Sequence, residues 1–130
     1  MRVFKTKEFA RQVRKEGLSD LELCEAVERA MKGLVDAQIG KFLIKQRVAR
    51  RSEGRSRGFR TIIFYQEDDR AVFLHMFAKS DKSDLTNTEE AAYRDFAKEL
   101  ATIKTEQITR LVALKKWMEI DYEGYQKKIS

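Results

Sequence analysis

The 130-residue sequence has no proline and only one cysteine, one histidine and one tryptophan. Each shortage removes a class of explanation. Without proline, and without any Gly/Ser-rich tract, nothing marks an internal linker, so residues 1–130 read as a single domain. The lone Cys24 has no partner for an intramolecular disulfide, which suits reducing surroundings. With no His/Asp pattern beside it, Cys24 reads as a packing residue rather than a nucleophile. One histidine and one cysteine, far apart in sequence, do not make a set of soft metal ligands, and no cofactor is expected. Gly54 and Gly58 flank Arg55 and Arg57 but lack the Lys-Ser/Thr ending of a nucleotide loop. No apolar run approaches the roughly 20 residues of a membrane helix, and the opening MRVFKTKEF lacks the apolar stretch of a signal peptide. A cytoplasmic protein with no membrane partner is expected.

What the chain has in abundance is charge, and the charge is concentrated. Residues 41–60 carry eight cations (Lys41, Lys45, Arg47, Arg50, Arg51, Arg55, Arg57 and Arg60) and one anion, Glu53. That window is +7 in a chain whose net charge is +6, so the remaining residues sum to −1. A surplus gathered in twenty residues suits a polyanion, because each neutralised phosphate releases a counterion. A solvated hairpin loop would also look like Arg50 to Arg60 taken alone. The flanking strands argue further: Lys45 and Arg47 are two apart in an apolar segment, so a strand sends both to one face and Phe42, Ile44 and Val48 to the other.

In chain order, residues 1–5 suggest an opening strand, and Thr6 caps a helix with Phe9, Ala10 and Val13 on one side, ended by Gly17. Ser19-Asp20-Leu21-Glu22 is a capping box, with Leu18 and Leu23 as a hydrophobic staple. It opens a helix with Leu23, Val27, Ala30, Met31 and Leu34 inward, and residues 33–40 hold the exit turn. Strands follow at 42–48, 59–65 and 71–78, the last two joined by the acidic turn Glu67-Asp68-Asp69, to form an antiparallel meander. Thr86 with Glu89, or Asn87 with Glu90, starts a helix whose inward residues are Ala92, Tyr93, Phe96 and Leu100. A last helix begins near Thr105 with Ile108, Leu111 and Val112 inward, and 117–122 alternates as a short strand. His75 alternates with Phe73 and Phe77, which favours a core or partly buried role, and Trp117 reads as a packing anchor for the tail. The fold class is α+β: a three-stranded central meander plus an amino-terminal strand, packed against two amino-terminal and further carboxy-terminal helices.

Three pieces in this order are specific: VFKTKEFARQVRKEGLSD with LCEAVE, IKQRVARRSEGRSRGFRTIIFY, and FAKSDKSDLT leading into EEAAYRDFAKELA. Over about residues 3–101 the chain resembles the RelE/HigB-like toxins of type II toxin-antitoxin modules, with residues 103–130 a carboxy-terminal helical extension like that of a longer subgroup. The resemblance implies a small basic endoribonuclease that enters the 70S ribosome and cuts messenger RNA by metal-free attack of the ribose 2′-OH on the adjacent phosphate. It also implies a cognate antitoxin. Such cleavage needs a proton acceptor, a proton donor for the 5′-oxygen and cations for the phosphorane charge. By resemblance the catalytic positions fall on Lys45, Arg47, Arg60 and Lys79, while Arg50, Arg51, Arg55, Arg57 and Lys82 hold ribosomal or messenger phosphates.

The chain departs from the best-known ribosome-dependent members twice: Ser80 stands for an arginine, and Thr86 for a tyrosine. A base would then rest on Tyr65 or Phe59, both of which also fit core positions. Two other functions fit the same basic face: a non-nucleolytic toxin of this fold that poisons DNA gyrase, and a nucleic-acid-binding regulator.

Overall fold

Capping chemistry sets the first half of the chain. In the computed structural model, which describes residues 1–49, 58–78 and 85–129, β1 (Arg2–Thr6) runs straight into α1 (Lys7–Glu16). The Thr6 hydroxyl accepts the Phe9 N–H at 3.1 Å, and Gly17 closes the helix at φ 71°, a left-handed value that glycine adopts freely. At the start of α2 (Asp20–Met31) the Glu22 carboxylate accepts both the N–H and the hydroxyl of Ser19, at 2.9 and 3.0 Å. Both helices bury the expected apolar stripes, Phe9, Ala10 and Val13, then Leu23, Val27 and Ala30. Met31 and Leu34 do not follow: they are 37% and 59% exposed, because α2 ends at Met31 and Gly33, at φ 84°, turns the chain outward.

The segment expected as an exit turn holds a further strand, β2 (Ala37–Gly40), hydrogen-bonded to β3 (Leu43–Ala49). Four residues carry too little alternation to declare themselves; their pairing is set by the tight turn in which Phe42 sits at φ 59°. Phe42 therefore leaves the face shared by Ile44 and Val48 and lays its ring 6.0 Å from Phe64 on the other side. With β4 (Gly58–Gln66) and β5 (Arg70–Ala78) the meander has four strands. The sheet order is β2-β3-β4-β5-β1-β6; β1 is parallel to β5 and every other pair is antiparallel. Edge strand β6 is Trp117–Ile120, and Tyr122, expected as its end, instead begins a short helix α5 (Tyr122–Ile129).

Helices cover both faces. On the α1/α2/α5 side lie Ile44, Val48, Ile63, Phe73 and Met76, with Phe9 against Phe73 at 5.1 Å. Opposite, α3 (Asn87–Leu100) and α4 (Thr105–Ala113) pack on Phe4, Leu43, Ile62, Phe64 and Val72, and Trp117 anchors the tail 5.5 Å from Phe4. Thr86 and Glu89 cap α3 reciprocally, at 3.0 and 3.1 Å. Its inward stripe is Tyr93, Ala97 and Leu100; Ala92 and Phe96, expected inward, face solvent, Phe96 at 39% exposure. Buried Arg70 donates to the carbonyls of Leu100 and Ile103 at 2.6 and 3.1 Å, tying the end of α3 and the turn after it to β5.

Candidate nucleic-acid site

The strand register places the cations. Lys45 lies opposite Ile62, and Arg47 directly opposite Arg60. Lys45, Arg47 and Arg60 thus share the sheet face that α3 covers only in part, with the Cβ atoms of the directly opposed Arg47 and Arg60 about 4.5–5.5 Å apart. They line one cleft of about 390 Å³ together with Asp36, Ala37 and Gln46. Like charges at directly opposed positions repel, so this arrangement gains when an anion enters between them. Gly58 lets β4 approach β3 closely at the end of this pairing: a Cβ there would sit 2.8 Å from the Val48 carbonyl oxygen. Any side chain at 58 would push on the β3 backbone.

Beyond the Ala37–Lys45 pair, the outer edge of β3 loses its pairing with β2, and side chains finish the ladder there instead. Asp36 Oδ2 accepts the Arg47 N–H at 2.6 Å, and Arg29, from α2, donates to the Arg47 carbonyl at 2.9 Å and to Asp36 at 3.3 Å. Behind them Gln46 is fully buried on the opposite, apolar face. Its amide donates to the carbonyls of Ala26 and Leu34 and its oxygen accepts the Asp36 N–H, at 3.1, 3.0 and 2.9 Å. The α2–β2 connection is thereby tied to β3, and the backbone carrying Arg47 is held from three directions. Asp36 and Arg29 were not singled out from the sequence, since their role depends on a strand, β2, too short to read.

A bulge places the lone histidine. Ile63 pairs with Phe73 but Ile62 with His75, which leaves Leu74 as an extra residue. Strict alternation from Phe73 would send His75 to the opposite face; the bulge returns it to the face of the cations. There His75 is half-buried, 6.0 Å from the Phe77 ring and 6.1 Å from that of Tyr93 on α3. Burial lowers its pKa, partly offset by the carboxylate of Glu89. The same burial raises the Tyr93 hydroxyl pKa. Phe59 is buried on the α1/α2 face and Tyr65 packs against that same cluster, so neither faces the cations as a base-holding residue would. Cys24 is buried with its thiol pushed up to about 11, mainly by desolvation, which suits its packing role.

Of the positions suggested by sequence, Lys45, Arg47 and Arg60 come together. Lys79, Arg50, Arg51, Arg55, Arg57 and Lys82 lie outside the described residues, in the segments that follow β3 and β5. Among the described residues no three His, Cys, Asp or Glu side chains gather as metal ligands, and no helix is long and apolar enough to cross a membrane.

Fold and site together define a small α+β protein with a cationic sheet face suited to a polyanion. The family model described as the RelE toxin of the RelE/RelB toxin-antitoxin system matches residues 1–120, and the chain belongs to that family. It is the toxin component of such a module, whose other component is a cognate antitoxin. A search of curated proteins returns no match.

Proposed function

We propose that this toxin is a ribosome-dependent endoribonuclease that cuts messenger RNA in the cytoplasm and so stops translation. The observation that carries the reading is the direct registration of Arg47 with Arg60, two residues along β3 from Lys45, in one cleft. In the proposed reaction the 2′-oxygen bonds to phosphorus as its proton leaves, and the bond from phosphorus to the 5′-oxygen breaks as that oxygen gains a proton. The products are a 2′,3′-cyclic phosphate and a 5′-hydroxyl. A guanidinium does not deprotonate in proteins, so Arg47 and Arg60 are assigned the charge growing on the phosphorane. Lys45 is assigned proton transfer, and Lys79 remains a fourth candidate cation.

Toeprinting on translating ribosomes tests this directly. Wild type should give codon-positioned cuts, and Lys45→Ala combined with Arg60→Ala should abolish them. Cuts that survive the double substitution would sink the site. Growth inhibition by wild type with messages left intact would favour a gyrase poison.

The antitoxin is proposed to lay acidic side chains over Lys45, Arg47 and Arg60, because the charge is so concentrated there. A triple alanine variant bound with unchanged affinity and salt slope would replace masking with steric exclusion.

A further inference from the structure

Beside the cations, the same face carries three rings in series. The register gives two parallel rows across the sheet, Lys45–Ile62–His75 and Arg47–Arg60–Phe77. Phe77 is therefore the immediate neighbour of Arg60, and His75 its diagonal one. Tyr93 continues the series from α3, and all three rings are half-buried, one part packed and one part open. His75 and Phe77 also border a second cleft of about 300 Å³ on the far side of Arg60 from the cationic one, shared with Gln12 and Lys15 of α1. That cleft exists because β1 stops pairing with β5 at Phe73; Gln12 takes over beyond it, accepting the Met76 N–H and donating to the Met76 carbonyl at 3.2 and 3.0 Å. Backbone hydrogen bonding at Met76 is thus completed without a strand, leaving the space beside the rings open.

Resting on the RNA-cleaving reading above, we propose that Phe77, His75 and Tyr93 form a stacking shelf for one nucleobase of single-stranded RNA whose phosphate is held by Arg47 and Arg60. Aromatic faces hold any base, because every base has a π-face, and the adjacent cations neutralise its phosphate. The bulge at Leu74 is what builds the shelf: a regular β5 would carry the imidazole to the α1/α2 face. The role assigned to His75 is stacking, not proton transfer.

The test is equilibrium binding to ribosomes programmed with a synthetic message. Its A-site codon carries 2′-deoxy sugars to block cleavage, with each base in turn removed. For wild type, loss of one particular base should weaken binding roughly 5- to 150-fold, the range of base–aromatic stacking. His75→Leu and Phe77→Leu should weaken binding of the intact message while leaving the message abasic at that position unaffected. His75→Phe should behave as wild type. Equal losses on intact and abasic messages would mean that the rings only seat α3 on the sheet. A His75→Phe defect as large as that of His75→Leu would assign the imidazole to hydrogen bonding or proton transfer. Insensitivity of wild type to every base removal would overturn the shelf without needing any variant to fold. Wild-type cleavage of an ordinary message, measured alongside, separates these outcomes from failure of the nuclease reading.

Discussion

The two faces of the sheet differ in a way that separates stability from function. The face under α1, α2 and α5 is apolar along β3, β4 and β5: Ile44, Val48, Phe59, Ile63, Ala71, Phe73 and Met76 are all buried. Its two polar intruders, Gln46 and Thr61, are satisfied internally, the Thr61 hydroxyl donating to the Gln46 carbonyl at 2.7 Å. The face under α3 and α4 changes character halfway. Leu43, Ile62, Phe64, Val72 and Leu74 are buried, and then Lys45, Arg47, Arg60, His75 and Phe77 take over in the same rows, half-buried or exposed. One face holds the strands in place; the half-covered one leaves a rigid, charged surface that a helix does not close. Strands fix side-chain directions more tightly than loops do, so cations that must meet one phosphate are best carried this way.

Substituting one residue on each face tests that division most strongly. Phe73→Ala removes a ring with no exposed surface that packs on Phe9, and should cost about 3–5 kcal/mol in urea unfolding. Arg60 is exposed. Arg60→Ala should leave stability within about 0.5 kcal/mol, yet lower the single-turnover cleavage rate about 10²- to 10³-fold, as loss of a transition-state charge partner does. An Arg60→Ala protein that unfolds as easily as Phe73→Ala would show that the cationic half is structural after all.

Much of this was legible in the sequence, and what was not has a physical cause. Thr6, Gly17, Ser19 with Glu22, and Thr86 with Glu89 announced helix ends because capping is local chemistry. The period-two spacing of Lys45 and Arg47 put both on one face, and β3 keeps them there. What escaped depends on partners distant in sequence. The strand β2 is defined by its register to β3, the site role of Asp36 by the Arg47 backbone, and the side of the sheet taken by His75 by one extra residue in β5. On α3, Phe96 and Ala97 are adjacent candidates for one helical stripe, and only the fit against the sheet chooses Ala97. Gln46 was the readable clue: an amide at a core-facing position of an apolar strand implies buried backbone groups to satisfy.

A middle-sized effect should link the two faces through that residue. Gln46→Leu preserves volume but strips partners from the Asp36 N–H and the Ala26 and Leu34 carbonyls. A cost of about 1–3 kcal/mol is expected, the penalty for an orphaned buried group. Because Asp36 and the backbone of Arg47 lose their support, cleavage should also slow, by less than in Arg60→Ala. An unfolding cost with an unchanged rate would mean that the cleft keeps its shape without this tie.

The smallest effect is a pH dependence confined to the boundary between the covered and open halves, where His75 sits. Burial depresses its folded-state pKa, and the exposed carboxylate of Glu89 only partly restores it. Facing it are also Tyr93 from α3, and Lys15 and Glu16 from α1 across the second cleft. The unfolded chain takes up the proton at about pH 6.5, before the folded one does. Between the two pKa values the unfolded state holds more protons, so stability rises with pH there. This contribution is fully present above about 6.5 and is lost as pH falls through the folded-state pKa. Urea unfolding from pH 8 to 5 should therefore show wild type losing stability relative to His75→Gln as the pH drops, since titrations common to both proteins cancel in the difference. In a Glu89→Gln background the loss should extend to lower pH, because removing the carboxylate lowers the folded-state pKa further. Parallel profiles for wild type and His75→Gln would place the imidazole in water rather than against Tyr93 and Phe77, and would weaken the stacking shelf with it.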